Sequence, residues 1–357
     1  MIVPKVLFQE ATGLSGFSCK TFCFSSKKLL QLIQEISSDL KKLANKVTVK
    51  IAGNNRLIPV QKVTDSDFQI LASVFMNNVF LTDNINPTPH FFLLNKTLCY
   101  LRMTGNKIEN KGGMYFAAMI QVNTTIQKLD FGDCDLFNHL YSTQPRKICH
   151  CASMLKVNCT LVELHLCKHG MKNFGIERLC DALYNNSTLR YLDLSCNKIS
   201  RDGMKFLGQL LKQNTTLEIV DLNFNRIEDD GAFYLSDALA THNQTLQALA
   251  VTYNNLSGAG LVALSDAMKT NPVLSYIYIW GNKFDEAACV AFAELLQSGR
   301  LKPTGTDVEP YEVDGRIYLA EVSHGLKRHY YWTPSYGEPD NEYENASLAI
   351  NPVIEHL

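Results

Sequence analysis

Between residues 189 and 227 the chain runs twice through one order of apolar and polar positions. Leu-Arg-Tyr-Leu-Asp-Leu-Ser-Cys-Asn-Lys-Ile starts at Leu189, and Leu-Glu-Ile-Val-Asp-Leu-Asn-Phe-Asn-Arg-Ile starts 28 residues later at Leu217. In the first copy Leu192 and Leu194 alternate with Tyr191, Asp193 and Ser195, the period of a short strand with one buried face. Asn197 falls where the chain must leave the strand, and an amide side chain there can both donate to and accept from turn backbone. Ile199 returns the chain to the core. Asp202-Gly203 then precedes Met204, Leu207, Leu210 and Leu211 at helical spacing, and Asn214-Thr215-Thr216 leads into the next strand. Each unit is therefore predicted to be strand, turn, helix and loop.

One such unit is too small to offset the entropy of ordering its own backbone, so copies must share a continuous core. Leu98, Ile126, Leu161, Leu189, Leu217, Leu246 and Leu274 open successive strands at separations of 28, 35, 28, 28, 29 and 28 residues. The turn asparagine recurs as Asn54, Asn106, Asn197, Asn225, Asn254 and Asn282, with Cys134 and His169 at the same phase in two units.

The rest of the chain is organised around this array. Residues 1–26 lack periodicity and are expected to be a mobile tail. The array spans 27–297 and opens with an apolar helical stripe (Leu29, Leu30, Ile33, Ile36, Leu40, Leu43), expected to cap the first strand. Val49, Ile51, Asn54 and Leu57 mark a degenerate first repeat, with a helix from Asp65 that carries Phe68, Leu71, Val74 and Phe75 inward. The pattern fails over 79–95 and again over 137–151, where seven extra residues and Pro145 replace a helix start. A last strand is predicted at 277–280 and a last helix at 286–297, with Cys289, Phe292, Ala293 and Leu296 inward. Residues 298–333 form a C-terminal cap in which Asp314-Gly315 marks a tight hairpin, and 334–357 a second mobile tail.

Composition narrows the function classes. The 357 residues carry a formal net charge of −1, which gives no broad footprint for nucleic acid or membrane. Eleven cysteines without framework spacing favour a reducing compartment, and no apolar run approaches the roughly 20 residues of a membrane span. A soluble intracellular chain is expected. Asn95, Asn123, Asn158, Asn186, Asn214 and Asn243 all begin Asn-x-Ser/Thr triplets, yet they share one repeat phase just before a strand, which favours a loop role over glycosylation.

The pattern Leu-x-x-Leu-x-Leu-x-x-Asn-x-Ile at 28 to 29 residues resembles the ribonuclease-inhibitor class of leucine-rich repeats. That resemblance implies an α/β solenoid, a horseshoe with parallel strands on a concave face, helices on a convex face, and protein partners bound by the strands. A narrower resemblance to one member of the class rests on Leu98 to Gly113, Gly281 to Glu286 and Val308 to Trp332. It implies a non-enzymatic nuclear, nucleolar and cytoplasmic protein of stem and germ cells, with nucleolar partners. Both irregular stretches would then be places where whole repeats are missing.

Alternation places Arg102, Asp130, His165, Asp193, Asp221, Ala250 and Tyr278 in the central column of the concave face. Three acids there, with Asn223 beside them, would suit a basic protein segment; an ordinary solvated face would explain them equally well. Tyr276, Tyr278 and Trp280 line one exposed side of the last strand. They read either as interface anchors or, preferably, as a strand covered by the aromatic hairpin with Tyr311, Tyr318, Tyr330 and Trp332. His165, Cys167 and His169, with Cys149-His150-Cys151, are metal-ligand types at spacings that match no usual zinc site, so no metal or cofactor is expected. Phosphate-loop, dinucleotide-loop and nucleophile-elbow patterns are missing, and Gly112-Gly113, Gly203, Gly231 and Gly260 recur as turn-to-helix residues. The expectation is a monomeric scaffold for protein partners, without nucleic acid or membrane. A regulator of a small GTPase, similar to the Ran GTPase-activating family but without its acidic tail, and a ribonuclease-inhibitor-like binder are the alternatives.

Overall fold

The computed structural model describes residues 5–10, 18–21, 47–50, 62–75, 98–108, 110–134, 152 and 154–322. They belong to two compact units that divide between residues 169 and 170. Asn54, the helix expected before residue 46, the stretches 79–95 and 137–151, and the tail 334–357 lie outside the described residues.

The first unit contains β1 (Lys5–Glu10), β2 (Ser18–Thr21), β3 (Val47–Lys50), α1 (Asp65–Phe75), β4 (Leu98–Arg102), α2 (Asn110–Val122), β5 (Lys128–Asp130) and β6 (Glu163–His165). Its sheet runs in the order β6-β5-β4-β3-β1-β2. Strands β3 to β6 are parallel, with Leu101 opposite Leu129 and Leu129 opposite Leu164, so one side of every repeat strand faces the core. The start of the chain differs from the expected tail: β1 pairs antiparallel with β3, and β2 with β1. Those pairings satisfy the edge groups of β3 that a parallel array leaves open at its first strand. In α1, Phe68 and Leu71 are buried as the helical spacing requires.

The second unit contains α3 (Asn173–Leu183), β7 (Tyr191–Asp193), α4 (Arg201–Leu211), β8 (Ile219–Asp221), α5 (Glu228–Thr241), β9 (Ala248–Ala250), α6 (Gly258–Thr270), β10 (Tyr276–Tyr278), α7 (Glu286–Gln297), β11 (Val308–Val313) and β12 (Arg316–Glu321). Its repeat strands lie in the order β10-β9-β8-β7, with β8 parallel to β7, β9 to β8 and β10 to β9. Leu192, Val220, Leu249 and Ile277 stand in register. Leu189, Leu192, Leu194, Ile199, Met204, Leu207 and Leu211, the expected core set of one repeat, are all fully buried. Consecutive helices approach closely at Gly203, where a Cβ would fall 2.8 Å from Asn173 Oδ1 and 2.9 Å from Ile176 Cγ2. In α7 the inward positions are Cys289, Phe292, Ala293 and Leu295, with Leu296 only partly buried.

Two asparagine ladders join the repeats. In the turn ladder Asn225 Nδ2 donates to the carbonyls of Leu222 and, one repeat back, Leu194, while its Oδ1 accepts from Ile199 N. Asn106, Asn197, Asn254 and Asn282 make the same kind of bonds. The second ladder occupies the helix-to-strand loops. There Asn243 Oδ1 accepts from Thr245 N and Leu246 N, and its Nδ2 donates to Leu211 O and Asn214 O of the preceding repeat. Asn123, Asn158, Asn186 and Asn214 place their Oδ1 atoms alike. These side chains are buried and committed to backbone groups, which accounts for the phase of the Asn-x-Ser/Thr triplets. Asn271 is followed by Pro272-Val273 and has no such triplet, yet makes all four ladder bonds. The asparagine, not the triplet, is what the loop requires.

The array ends in a built cap. Asp307 Oδ1 accepts from Ile279 N at 2.8 Å and Oδ2 from Trp280 N at 3.1 Å, closing the last strand where no further repeat can. Val322 N donates to Asp307 O, which ties the far end of the β11–β12 hairpin to the same residue. Asp314 and Gly315 both have positive φ (51° and 76°), the two-residue turn that Asp-Gly predicts. The hairpin packs against α7, with Val308 and Leu319 buried. Tyr311 and Tyr318 stack on each other and remain exposed, so they do not form the expected cover over Tyr278. Tyr330 and Trp332 lie outside the described residues.

Candidate interaction surface

The strand column sorts differently in the two units. In the first, Arg102 Nε lies 3.1 Å from Asp130 Oδ2, which also accepts from Thr104 Oγ1 at 2.9 Å. Glu163 sits between Lys128 at 3.1 Å and His165 at 3.6 Å. Burial works to raise the Glu163 carboxyl, but His165 and Lys128 together outweigh it and hold the group below the ordinary value of 4.5. A carboxyl lowered in the fold contributes stability above its unfolded value, and that contribution is lost as pH falls through the folded value. Denaturant unfolding should therefore show a constant difference between the wild type and Glu163→Gln above pH 4.5 that shrinks as pH falls below it. A difference independent of pH would contradict it.

Asp130, Asp193 and Asp221 share one local task. Each Oδ1 accepts, at 2.9 Å, the backbone N–H two residues on, from Gly132, Ser195 and Asn223. Ser195 Oγ adds a second bond to Asp193. This aspartate turn bends the chain out of the strand, and all three side chains are buried. Around them in the second unit, Tyr191, Ile219, Ala248, Ala250 and Tyr278 form an apolar cluster at 0 to 6% exposure, with Tyr276 packed against it. The acidic column expected to meet a basic partner is thus consumed by turns. Among the expected contact residues Arg102, Asn223, Tyr276 and Trp280 keep partial exposure, whereas His165 and Tyr278 are buried.

Two exposed aromatic side chains, Phe224 and Tyr253, stand one step beyond the strands. The residue before each ladder position has positive φ: Asp133, Lys168, Cys196, Phe224 and Tyr253, with glycine at 105 and 281. Left-handed backbone is natural for glycine but costs a bulky residue roughly 1 kcal/mol or more. Phe224 and Tyr253 occupy it at φ 56° and 52° and are 44% and 42% exposed. Their rings stack with centroids 4.6 Å apart and planes 8° from parallel. The spacing follows from the sheet, because Phe224 N donates to Thr252 O and Tyr253 N to Trp280 O, holding neighbouring turns at strand separation. Gly281 makes room at the end of the stack: a Cβ there would lie 2.4 Å from the Tyr253 ring. Trp280, half-exposed, continues this edge and packs at a tilt on Phe284. The residue after the ladder asparagine is a basic, exposed side chain in three of the four asparagine turns of the second unit, Lys198, Arg226 and Lys283. Strand alternation alone points to the column and passes over these positions, but counting one residue either side of each ladder asparagine finds them.

The remaining candidate chemistry is structural. Burial pushes the Cys134 thiol well up, and its Sγ donates to Met103 O in place of the ladder amide. Among the described residues no three His, Cys, Asp or Glu side chains come together to hold a metal, and no helix is long and apolar enough to cross a membrane. Cys149, His150 and Cys151 lie outside the described residues.

Register-matched parallel strands, alternating helices and paired asparagine ladders define a leucine-rich repeat protein. The family description "Leucine Rich repeat" matches residues 94–117, 185–208, 213–236 and 242–265. Leucine-rich repeat-containing protein 34 of Homo sapiens is 49% identical over 406 residues, spanning 91% of this chain and 84% of that protein. The chain belongs to the leucine-rich repeat-containing protein 34 family. The Mus musculus and Rattus norvegicus proteins of that name are each 55% identical over 218 residues, 61% of this chain and 52% of theirs, so those matches span about half of each relative. The human alignment is longer than the chain's own 357 residues, so the human relative carries segments that face gaps here. A solved structure titled "Leiomodin-1 Actin-Binding Site 2 (ABS2)" covers 44% of this chain and 90% of its own at TM-score 0.37 and 20% identity, a likeness too loose to bear on function.

Proposed function

We propose that the chain is a non-enzymatic protein-interaction scaffold whose working surface in the second unit is the edge formed by Phe224, Tyr253 and Trp280. One observation carries this reading: two large aromatic side chains are held in left-handed backbone and left exposed, stacked on each other. Neither backbone preference nor core packing calls for them there, whereas aromatic anchors of this kind dominate binding energy at protein interfaces. Asn223 and Tyr276 lie alongside as accessible polar and aromatic contacts. Asp193 and Asp221 serve by shaping the turns that present the edge. The proposed setting is nuclear and nucleolar, with a cytoplasmic pool, in stem and germ cells, and with nucleolar proteins as partners. That setting rests on the sequence resemblance.

The test is partner capture from cells with the wild type and with Phe224→Gly plus Tyr253→Gly. Glycine is at home at both φ values, so the unfolding temperature should hold while capture falls on the order of 30-fold or more, about 2 kcal/mol for the two lost anchors together. Undiminished capture by a folded double variant would sink the reading.

A further inference from the structure

We infer that the open strand face of the second unit is occupied by the chain's own residues 323–332, a contact that goes beyond the scaffold reading above. The observation behind it is burial on the side of the sheet away from the helices. Leu192, Val220, Leu249 and Ile277 face the helices, so alternation turns Tyr191, Ile219, Ala248, Ala250 and Tyr278 to the opposite side. A repeat array has no second layer of its own over that face. These five side chains nevertheless keep only 0 to 6% exposure, and all three residues of β7, β8 and β9 are buried.

The cluster does not bury itself. Ala248 and Ala250 stand opposite Tyr276 and Tyr278, so neighbouring tyrosines account for the shielding of the two alanines. The tyrosines need a cover of their own, since Tyr191 is 1% and Tyr278 6% exposed and the outermost side chains of any surface stay wet. Among the described residues of the second unit, the hairpin packs against α7, and its Tyr311 and Tyr318 are exposed and stacked on each other. A further segment of chain therefore lies on the strand face.

Position and chemistry choose that segment. Val322 N donates to Asp307 O, and the Asp307 carboxylate holds Ile279 N and Trp280 N, so residue 323 begins beside the end of the strand that carries Tyr278. From β10 to β7 is three strand separations, about 14 Å. Ten extended residues reach up to about 35 Å. Residues 323–332 read Ser-His-Gly-Leu-Lys-Arg-His-Tyr-Tyr-Trp. Leu326, Tyr330 and Trp332 supply apolar surface for the cluster. Lys327 and Arg328 supply positive charge for Asp193 and Asp221, whose carboxylates lie on the same covered face. A tethered segment acts at an effective concentration of about millimolar order, which closes the strand face to outside partners and leaves the Phe224 and Tyr253 edge accessible.

The experiment is hydroxyl-radical footprinting of the full chain without a partner. Tyr330 and Trp332 should lose most of the reactivity they show in the unfolded chain, while Tyr311 and Tyr318 keep theirs. In the full chain carrying Lys327→Glu, Arg328→Glu, Tyr330→Ser and Trp332→Ser, Tyr191 and Tyr278 should become reactive while circular dichroism shows the repeats still folded. A labelled peptide of residues 323–332 should bind that variant at least about tenfold more tightly than the wild type, whose tethered copy competes. Trp332 as reactive in the native wild type as in the unfolded chain overturns the inference, whether or not the variant folds. Tyr191 and Tyr278 still protected in a folded variant overturn it by giving the face to another segment, and equal peptide binding by the two proteins overturns it as well. Partner capture by the aromatic edge is a separate readout, so either reading can fail without the other.

Discussion

Replacing Asn271 with alanine is expected to destabilise the second unit by roughly 4 kcal/mol or more. The side chain accepts from Val273 N and Leu274 N and donates to Leu239 O and Asn243 O, and it is fully buried. Alanine leaves two donors and two acceptors without partners in a dry interior, at about 1 to 3 kcal/mol each before relaxation. The loss is amplified by position. Arg300 Nη2 donates to the carbonyls of Asn271 and Leu274, so the loop also anchors the connection from α7 to the cap. Asn271→Asp should be nearly as harmful, because an acceptor would then face the carbonyls of Leu239 and Asn243. Denaturant unfolding measures both variants. A loss under about 1 kcal/mol for alanine would mean that the ladder is decoration, since that is the net worth of one ordinary hydrogen bond.

Asp307→Ala is expected to open the C-terminal end of the array at a cost of roughly 2 to 4 kcal/mol. It removes both bonds to the amides of Ile279 and Trp280, bonds strengthened by the carboxylate charge. Each earlier strand end of the second unit has a following repeat to serve it, as when Leu194 N donates to Asp221 O, Leu222 N to Ala250 O and Val251 N to Tyr278 O. β10 has Asp307 instead. Hydrogen exchange should therefore accelerate first at Ile279 and Trp280 and then along β10, with β7 keeping its protection. Uniform acceleration across β7 to β10 would show that the last strand does not open separately.

Much of this fold could be read from the chain because its two strongest signals are periodic. Leucine alternation placed the repeat strands, helical spacing placed α1 at Asp65 and α7 at 286–297, and Asp314-Gly315 placed the hairpin turn. The pairing of β1 and β2 was invisible, since neither segment repeats anything and its reason for existing is the open edge of β3. The local role of the acidic column was hidden for a related reason. Alternation says which way a strand side chain points but not what it bonds, and Asp193 and Asp221 point outward only to turn back onto Ser195 N and Asn223 N. Phe224 and Tyr253 sit in turns, where the period of two has ended and only their place before a ladder asparagine marks them in the sequence.

The most direct measurement of the central claim is hydroxyl-radical footprinting of the chain with and without a captured partner. Aromatic side chains report their own accessibility, and the second unit offers controls at similar exposure away from the edge, Tyr184 at 41% and Tyr318 at 41%. Protection of Phe224, Tyr253 and Trp280 with Tyr184 and Tyr318 unchanged is the predicted result. Protection of Tyr184 or Tyr318 with Phe224 and Tyr253 still fully reactive would contradict it, and would move the working surface to the helices or the terminal hairpin.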